Sequence, residues 1–452
     1  MTVEIEDGGG DGSDLLEAGR PGSEIAGKKH EPAFSWRELR IPIFVGAVAA
    51  LVAAAYWFLL EAGWWVFWGH TAPDVGATHL GAHLWALPLA LAAVGVAIGR
   101  CRRIFGDPGE IDLVVDNIHV YRGLGHRQNK AMLPISLLTV TSGGSVGPEA
   151  PLVQFTGTTG YALAEWAGLD ERERRIAMLS GMAVGFTALF GHPLAAMIFA
   201  LEIPHRRSLQ YIEALLPAAL ASAIGFVIFT ALTGHGFDTA WLFPAPGDVT
   251  WWQLPLAIGL GCLAALVGRL YAELQKVSRA LFRLVPSLEL RGALVGALIG
   301  VVGWLYPDTL FFGEAQLTSV MREPVVWQAL LLMAALKLCT VSLSLSGGWR
   351  GGLIIPMFLV GAMLGRVLHV HFPFIPEPIA CLCLMSALNT AVTKTPLGST
   401  LVVALMSGVS TVAPIFLASL AAFFLSERVA IIHSQRDAEP AFPATASPQP
   451  AS

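Results

Sequence analysis

Long apolar runs separated by short polar stretches make up most of this chain. The runs at 41–68, 80–99 and 215–232 are close to the roughly 20 residues that a helix needs to cross the hydrocarbon core of a bilayer. Further apolar runs lie at 252–270, 290–305, 326–345, 357–370, 378–392 and 396–425. The pattern predicts an all-α, multi-pass membrane protein.

The pattern changes between residues 106 and 202. Here Gly and Pro interrupt shorter apolar runs, which are too short to be simple spans. Non-helical backbone at membrane depth is tolerated only where protein or a water-filled cavity covers it. We therefore expect partial, broken helices in this segment.

A repeat connects this segment to the second half of the chain. The Ser-Gly-Gly-X-X-Gly pattern at 142–147 recurs at 346–351, 204 residues later, and Gly157 and Gly361 share that offset. Interrupted apolar segments at matching positions of two halves indicate a binding site near the bilayer midplane. We predict one repeat at about 41–235 and a second at about 250–430.

The two ends of the chain differ from its middle in composition. Residues 1–38 are rich in Gly and acidic residues, and residues 433–452 are rich in Pro, Ala and Ser. Such composition predicts disordered tails around a membrane domain at 39–432, with neither a removable signal peptide nor an appended regulatory domain. Basic residues flank the first two spans and predict a cytoplasmic N-terminus; these are Lys28, Lys29, Arg37, Arg40, Arg100, Arg102 and Arg103.

Composition narrows the class of function. Hydrophobic residues make up 54% of the chain and charged residues 13%, against roughly 25% charged residues in soluble domains. The net charge of −5 gives no reason to expect a nucleic-acid partner. No His-Glu-X-X-His motif occurs, so we expect neither an enzyme nor a cofactor. His79, His83 and Asp74 have spacing that a metal site can use, but an ordinary surface role is preferred and no metal is predicted.

The segment Gly147-Pro148-Glu149-Ala150-Pro151 resembles the Gly-Arg-Glu-Gly-Pro signature of the CLC family of chloride channels and proton-coupled chloride exchangers. The resemblance continues through 193–202 and resumes at 352–356, which is similar to the family's Gly-X-Phe-X-Pro element. It implies two inverted halves, a homodimer with one pore per subunit in the cell (inner) membrane, and transport of chloride or a similar small anion.

The residues themselves support an anion site. Clusters of Gly and Pro end and start helices, and helix N-termini that converge at mid-membrane bind anions through free N–H groups. By resemblance, Gly147, Ala150, Leu353 and Ile354 contact the anion and Glu149 gates the path. An ionised Glu149 occupies the anion site, and a protonated one swings away. The alternative is that Glu149 is an ordinary residue in the first turn of a helix.

Four departures from the family pattern affect the mechanism. The family's chloride-binding serine element is expected at 106–111, where Asp107 would repel an anion if it faced the pore. Pro148 removes one amide donor. Ile203 stands where exchangers have an internal proton-transfer glutamate. Glu202, one position earlier, could substitute, but a structural or cytoplasm-facing role is preferred because adjacent helix positions point about 100° apart. The pore tyrosine is replaced by a residue near Ile431.

These departures leave several functions open. We favour passive, channel-like flux over proton exchange, because Ile203 interrupts the inner proton route. The alternatives are a proton-coupled chloride or fluoride antiporter and a non-conducting sensor or scaffold. Candidate pore-lining residues are Gly106, Asp107, Arg350 and Ile431. Arg350 could draw anions in, neutralise a carboxylate or snorkel. Lys337 is expected to be paired or to snorkel.

Overall fold

The computed structural model describes residues 36–69, 84–119, 125–206, 211–235, 249–322, 326–407, 411–427, 431–432 and 434–436. His79, His83, Asp74 and nearly all of the two predicted tails lie outside these residues. The chain divides into Met1–Arg40 and Ile41–Ser452.

The described residues form helices and no β-strands, which confirms the all-α prediction. In the first half the helices are α1 (Trp36–Trp68), α2 (Leu87–Phe105), α3 (Ile111–His119), α4 (Gly125–Ser142), α5 (Glu149–Trp166), α6 (Glu171–Phe190), α7 (Pro193–Glu202) and α8 (Leu215–Thr233). In the second half they are α9 (Gln253–Arg283), α10 (Leu288–Leu305), α11 (Glu314–Arg322), α12 (Trp327–Gly347), α13 (Ile354–His371), α14 (Glu377–Thr393), α15 (Pro396–Ser407) and α16 (Val412–Leu425).

Seven of the described helices are long and apolar enough to cross a membrane, which supports the multi-pass prediction. These are Leu39–Trp68, Leu84–Phe105, Ile212–Thr233, Gln253–Arg283, Leu288–Leu305, Trp327–Gly347 and Ile354–His371. The apolar run at 396–425 is not one span, because α15 ends at Ser407 and α16 begins at Val412. Like α7 and α14, these two helices have 10–17 residues.

Small residues allow the helices to pack backbone against backbone. A Cβ on Gly95 of α2 would lie 2.0 Å from the carbonyl oxygen of Gly292 on α10, and one on Gly296 would lie 2.0 Å from the carbonyl oxygen of Leu91. No side chain fits at such distances. Close approach through glycine is the usual means of helix association in lipid, where burial of apolar surface contributes little.

The two halves repeat their local geometry at the broken segments. Helices α5 and α13 each have 18 residues, and their first residues, Glu149 and Ile354, are 205 positions apart. At the same offset, Gly143 and Gly348 have left-handed φ values of +107° and +88°. The two-repeat prediction is therefore confirmed, but the structural offset here is 205 rather than 204, because Gly347 still belongs to α12. The outer limits of the repeats stay predictions.

Candidate functional site

The two Gly-rich breaks meet inside the protein. The N–H of Gly147 donates to the carbonyl of Gly352 at 2.9 Å, and the N–H of Gly352 donates back to the carbonyl of Gly147 at 2.7 Å. Two residues after each glycine a helix begins, α5 at Glu149 and α13 at Ile354. Two helix N-termini, each with N–H groups that lack an intrahelical acceptor, therefore come together at one place.

Glu149 occupies this meeting point. Its side chain is completely buried, and its Oε1 accepts a hydrogen bond of 2.9 Å from the N–H of Ile355 in the first turn of α13. A Cβ on Gly147 or Gly352 would lie 2.1 or 2.2 Å from Oε2 of Glu149, so the carboxylate can occupy this position only while both residues are glycine. The carboxylate thus lies over both breaks, on the N-terminus of the opposite helix.

The residues predicted to contact the anion lie around this carboxylate, but the amide that binds it is not one of those predicted. Leu353 and Ile354 precede the donor, which is the N–H of Ile355, one position later than predicted. Ala150 is buried in the first turn of α5. The N–H of Gly147 is bonded to Gly352, so Gly147 shapes the site through its missing side chain rather than as a donor. Sequence could not show which amide of the first turn points inward.

Two other charged side chains interact with Glu149. Lys337 of α12 is completely buried, and its Nζ donates to the carbonyls of Thr309 at 3.0 Å, of Leu310 at 3.3 Å and of Phe311. Its charge interacts with that of Glu149, as does the carboxylate of Glu314 at the start of α11. Lys337 was expected to be paired or to snorkel; its ammonium group is instead buried and bound by three backbone carbonyls. The sequence analysis missed Glu314, because a single acidic residue after Gly313 carried no motif.

A second cluster joins the α2–α3 loop to the second break. Arg350 donates to both oxygens of Asp107, with its Nη2 at 2.8 Å from each, and its Nη1 lies 2.7 Å from Glu110. Arg102 also donates to Asp107, and Arg279 of α9 binds Glu110 at 2.7 Å. Of the three roles considered for Arg350, neutralising a carboxylate is therefore the one that the contacts support.

The same cluster changes the interpretation of Asp107. Burial alone would raise its pKa, but the charges of Arg350 and Arg102 outweigh burial and hold the pKa of Asp107 well below its usual range. The repulsion expected from this carboxylate is therefore largely cancelled by the two guanidinium groups. Gly106, with φ +91°, starts the loop that presents Asp107, whereas Ile431 is buried in the hydrophobic core.

A second buried carboxylate lies on a helix N-terminus at Glu202. Its oxygens accept hydrogen bonds from the N–H groups of Leu397, at 3.1 Å, and Gly398, at 2.7 Å, in the first turn of α15. Ile203 beside it is completely buried. Glu202 also borders a cavity of about 270 Å³, which is lined in addition by His205, Arg206, Lys394, Pro396, Leu397, Phe416, Leu420, Phe423 and Phe424. Glu202 therefore caps the N-terminus of α15 and lines this cavity.

Within the described residues no group of three His, Cys, Asp or Glu side chains is placed to hold a metal ion. The five cysteines are all free thiols.

Comparison with known proteins identifies the family. A family model described as "Voltage gated chloride channel" matches residues 92–427, about three quarters of the chain. The chain belongs to the voltage-gated chloride channel (CLC) family. Within this family, a "Chloride/fluoride channel protein" of Pseudomonas syringae pv. tomato is 28% identical over 412 residues, which cover 86% of each chain. An "H(+)/Cl(-) exchange transporter ClcA" of Salmonella arizonae is 26% identical over 367 residues, 76% of each chain.

Solved CLC structures share the fold. A CLC-type fluoride/proton antiporter superimposes with a TM-score of 0.77 at 22% identity, over 89% of this chain and 98% of the other. A slow cyanobacterial Cl⁻/H⁺ antiporter also gives 0.77, at 18% identity, over 88% and 95%. The chain is thus a multi-pass membrane protein with the CLC fold, and its class of function is CLC-type anion transport.

Proposed function

We propose that this protein exchanges a small halide for protons, and that Glu149 is the group that couples the two. The observation that carries the proposal is the hydrogen bond between the Glu149 carboxylate and the N–H of Ile355, at the point where α5 and α13 begin. An exchanger replaces the channel-like flux that the sequence alone favoured.

The coupling follows from competition for one site. An ionised Glu149 and a halide both need the amides of the α13 N-terminus, and two anions at one buried position repel each other. When Glu149 takes up a proton, it loses its charge and its charge-assisted hydrogen bond weakens, so a halide can replace it. When the halide leaves, Glu149 releases the proton and returns. Partial charges suit such turnover, since a full positive charge would hold the halide more tightly.

An exchanger also requires a proton route to Glu149 from the other side. Ile203 has no proton to give, but Glu202 lies beside it on the cavity of about 270 Å³. We assign Glu202 as the group that passes protons between this cavity and the interior. Support comes from the relatives as well: a solved CLC neighbour is a fluoride/proton antiporter and another is a Cl⁻/H⁺ antiporter.

Chloride and fluoride are both candidates for the halide. The P. syringae relative carries both halides in its name. The family's chloride-binding serine is absent from 106–111 of this chain, so that element does not favour chloride over fluoride. The proposal includes a homodimer in the inner membrane, which rests on the family alone. A cytoplasmic N-terminus is favoured by the basic residues Arg102 and Arg103 in the last turn of α2.

The test is proton movement driven by a halide gradient in liposomes that contain the purified protein. Chloride and fluoride are used separately, the membrane voltage is clamped, and the internal pH is followed. We expect uphill proton movement with the wild type and about 100-fold slower proton movement with Glu149→Gln. Glu165→Gln is the matched control, because Glu165 is an exposed partner of Arg174 at 3.7 Å and should behave as wild type.

A passive channel is the second candidate, favoured by the apolar Ile203. Halide flux in the wild type without uphill proton movement would support the channel and contradict the exchanger. Absence of flux for both halides would leave the non-conducting sensor or scaffold.

A further inference from the structure

The ion-pair cluster at the α2–α3 loop has an unusual distribution of exposure. The side chain of Asp107 is 44% exposed, whereas those of Arg102 and Arg350 are only 9% and 8% exposed. The two cations thus lie beneath an accessible anion. A solute that approaches the buried guanidinium groups from this side meets the carboxylate of Asp107 first.

Arg102 also has hydrogen-bond donors without an acceptor in the described part of the chain. Nε and Nη1 of Arg102 are buried and have no hydrogen-bond partner among the described residues. Arg350 and Arg291 lie close enough to repel the charge of Arg102. In the cluster, three guanidinium groups (Arg102, Arg279 and Arg350) face two carboxylates (Asp107 and Glu110), which leaves an excess of one positive charge. A buried charged donor without an acceptor is costly, so these two atoms of Arg102 are suited to bind an anion.

The cluster is attached to the halide site through the backbone. Arg350 precedes Ile355, the donor to Glu149, by five residues, and its own N–H donates to Thr139 Oγ1 at 3.2 Å. A Cβ on Gly348 would lie 1.8 Å from Nη1 of Arg102, so Arg102 packs directly on the second break. The cluster and the Glu149 site therefore share one segment of chain.

We propose that Arg102 and Arg350 form a second halide-binding site, and that the carboxylate of Asp107 is its exchangeable internal occupant. This proposal extends the proposed function: a halide would be held first between the guanidinium groups and then by the amides at Ile355. The loop that carries Asp107 is bounded by Gly106 and Gly109, whose φ values of +91° and +79° require glycine. A Cβ on Gly106 would have open space around it, so the backbone there is not packed against other elements.

Asp107→Asn is the variant that tests this occupancy, because it removes the charge and keeps the shape. Chloride and fluoride binding to the purified full-length protein is measured by calorimetry, with phosphate as a larger anion. We expect Asp107→Asn to bind one additional halide, or to bind halide about tenfold more tightly than the wild type, a difference of about 1.4 kcal/mol. Asp107→Glu should bind as the wild type. The double variant Asp107→Asn/Arg102→Gln should lose the gain.

Glu273→Gln is the control for the loss of one negative charge, since Glu273 is exposed on α9 and pairs with Lys276 at 2.8 Å. Unchanged halide binding in folded Asp107→Asn would overturn the proposal, as would tighter binding that Arg102→Gln does not reverse. Tighter binding of phosphate than of halide would show a site for a different anion and would also contradict it.

Arg102→Gln alone supplies a second readout if Asp107→Asn does not fold. In liposomes it should raise the half-saturating halide concentration about tenfold and leave the maximal rate unchanged. An unchanged half-saturating concentration would contradict the second site. Binding is measured without proton movement, so a wild type that binds halide as predicted but moves no protons would contradict the exchanger and leave this site intact.

Discussion

Glu149 and Asp107 are two carboxylates held by the same segment of chain in opposite ways. Glu149 is completely buried and its Oε1 is bound by a neutral amide, whereas Asp107 is 44% exposed and is bound by two guanidinium groups. A buried carboxylate that is held by a neutral amide can leave that amide once the carboxylate is protonated. Full charges at an accessible position hold a carboxylate ionised, and only another anion can replace it. The two positions are thus suited to proton coupling and to anion capture, respectively.

The largest effect should follow from Glu149→Gln. Without an ionisable group here, halide-driven proton movement should fall by about 100-fold, a loss typical of removing a positioned proton-transfer group. Halide flux itself should persist. Undiminished proton movement in this variant would show that another group couples the two ions.

Gly352→Ala should displace the Glu149 carboxylate without altering its chemistry. The new Cβ would lie 2.2 Å from Oε2, so the carboxylate has to leave the N–H of Ile355. We expect proton coupling to fall about 30-fold, equivalent to about 2 kcal/mol, a size typical of overpacking. Gly259→Ala is the control, because a Cβ there would contact nothing within 4 Å. Equal coupling in both variants would mean that the observed position of Glu149 does not matter.

Glu202→Gln should have a smaller effect, on protons alone. A glutamine oxygen can still accept a hydrogen bond from Gly398, so the cap of α15 is partly kept. Proton movement should fall about tenfold, equivalent to about 1.4 kcal/mol on the transfer barrier, while halide efflux stays within twofold. If both rates fell together, Glu202 would be only a structural cap.

The smallest effect should come from Arg103→Gln. Arg103, which follows Arg102 in the chain, is 64% exposed and binds Glu289 at 2.6 Å. Exposed ion pairs contribute about 0–1 kcal/mol, so halide binding and apparent Tm should hardly change. A strong effect on halide binding would show that any positive charge at this end of α2 attracts the anion, and would weaken the distinct role assigned to Arg102.

The sequence predicted the features that follow from local chemistry. Apolar runs showed the spans, and the Gly and Pro clusters showed the two breaks and the helix start at Glu149. It could not show contacts between distant segments: the pairing of Arg350 with Asp107 joins residues 243 positions apart, and Glu149 reaches Ile355 across 206. Asp107 was therefore expected to repel an anion, because its two cationic partners could not be known.

The repeat shows a similar limit. The matching Ser-Gly-Gly letters gave an offset of 204, whereas the positive φ values of Gly143 and Gly348 set it at 205. Helix α12 ends at Gly347, and Gly348 packs against Arg102. This packing involves a distant residue, so the motif itself does not show where the helix ends.

The most direct test of the central claim is halide binding to the wild type and to Glu149→Ala, measured by calorimetry on the purified protein. If the carboxylate of Glu149 occupies the halide site, its removal frees the N–H of Ile355. Halide affinity should then rise at least about tenfold, since hydrogen bonds to charged groups contribute about 1.5–3 kcal/mol. Equal affinity in the two proteins would contradict the claim that Glu149 and the halide compete for one site.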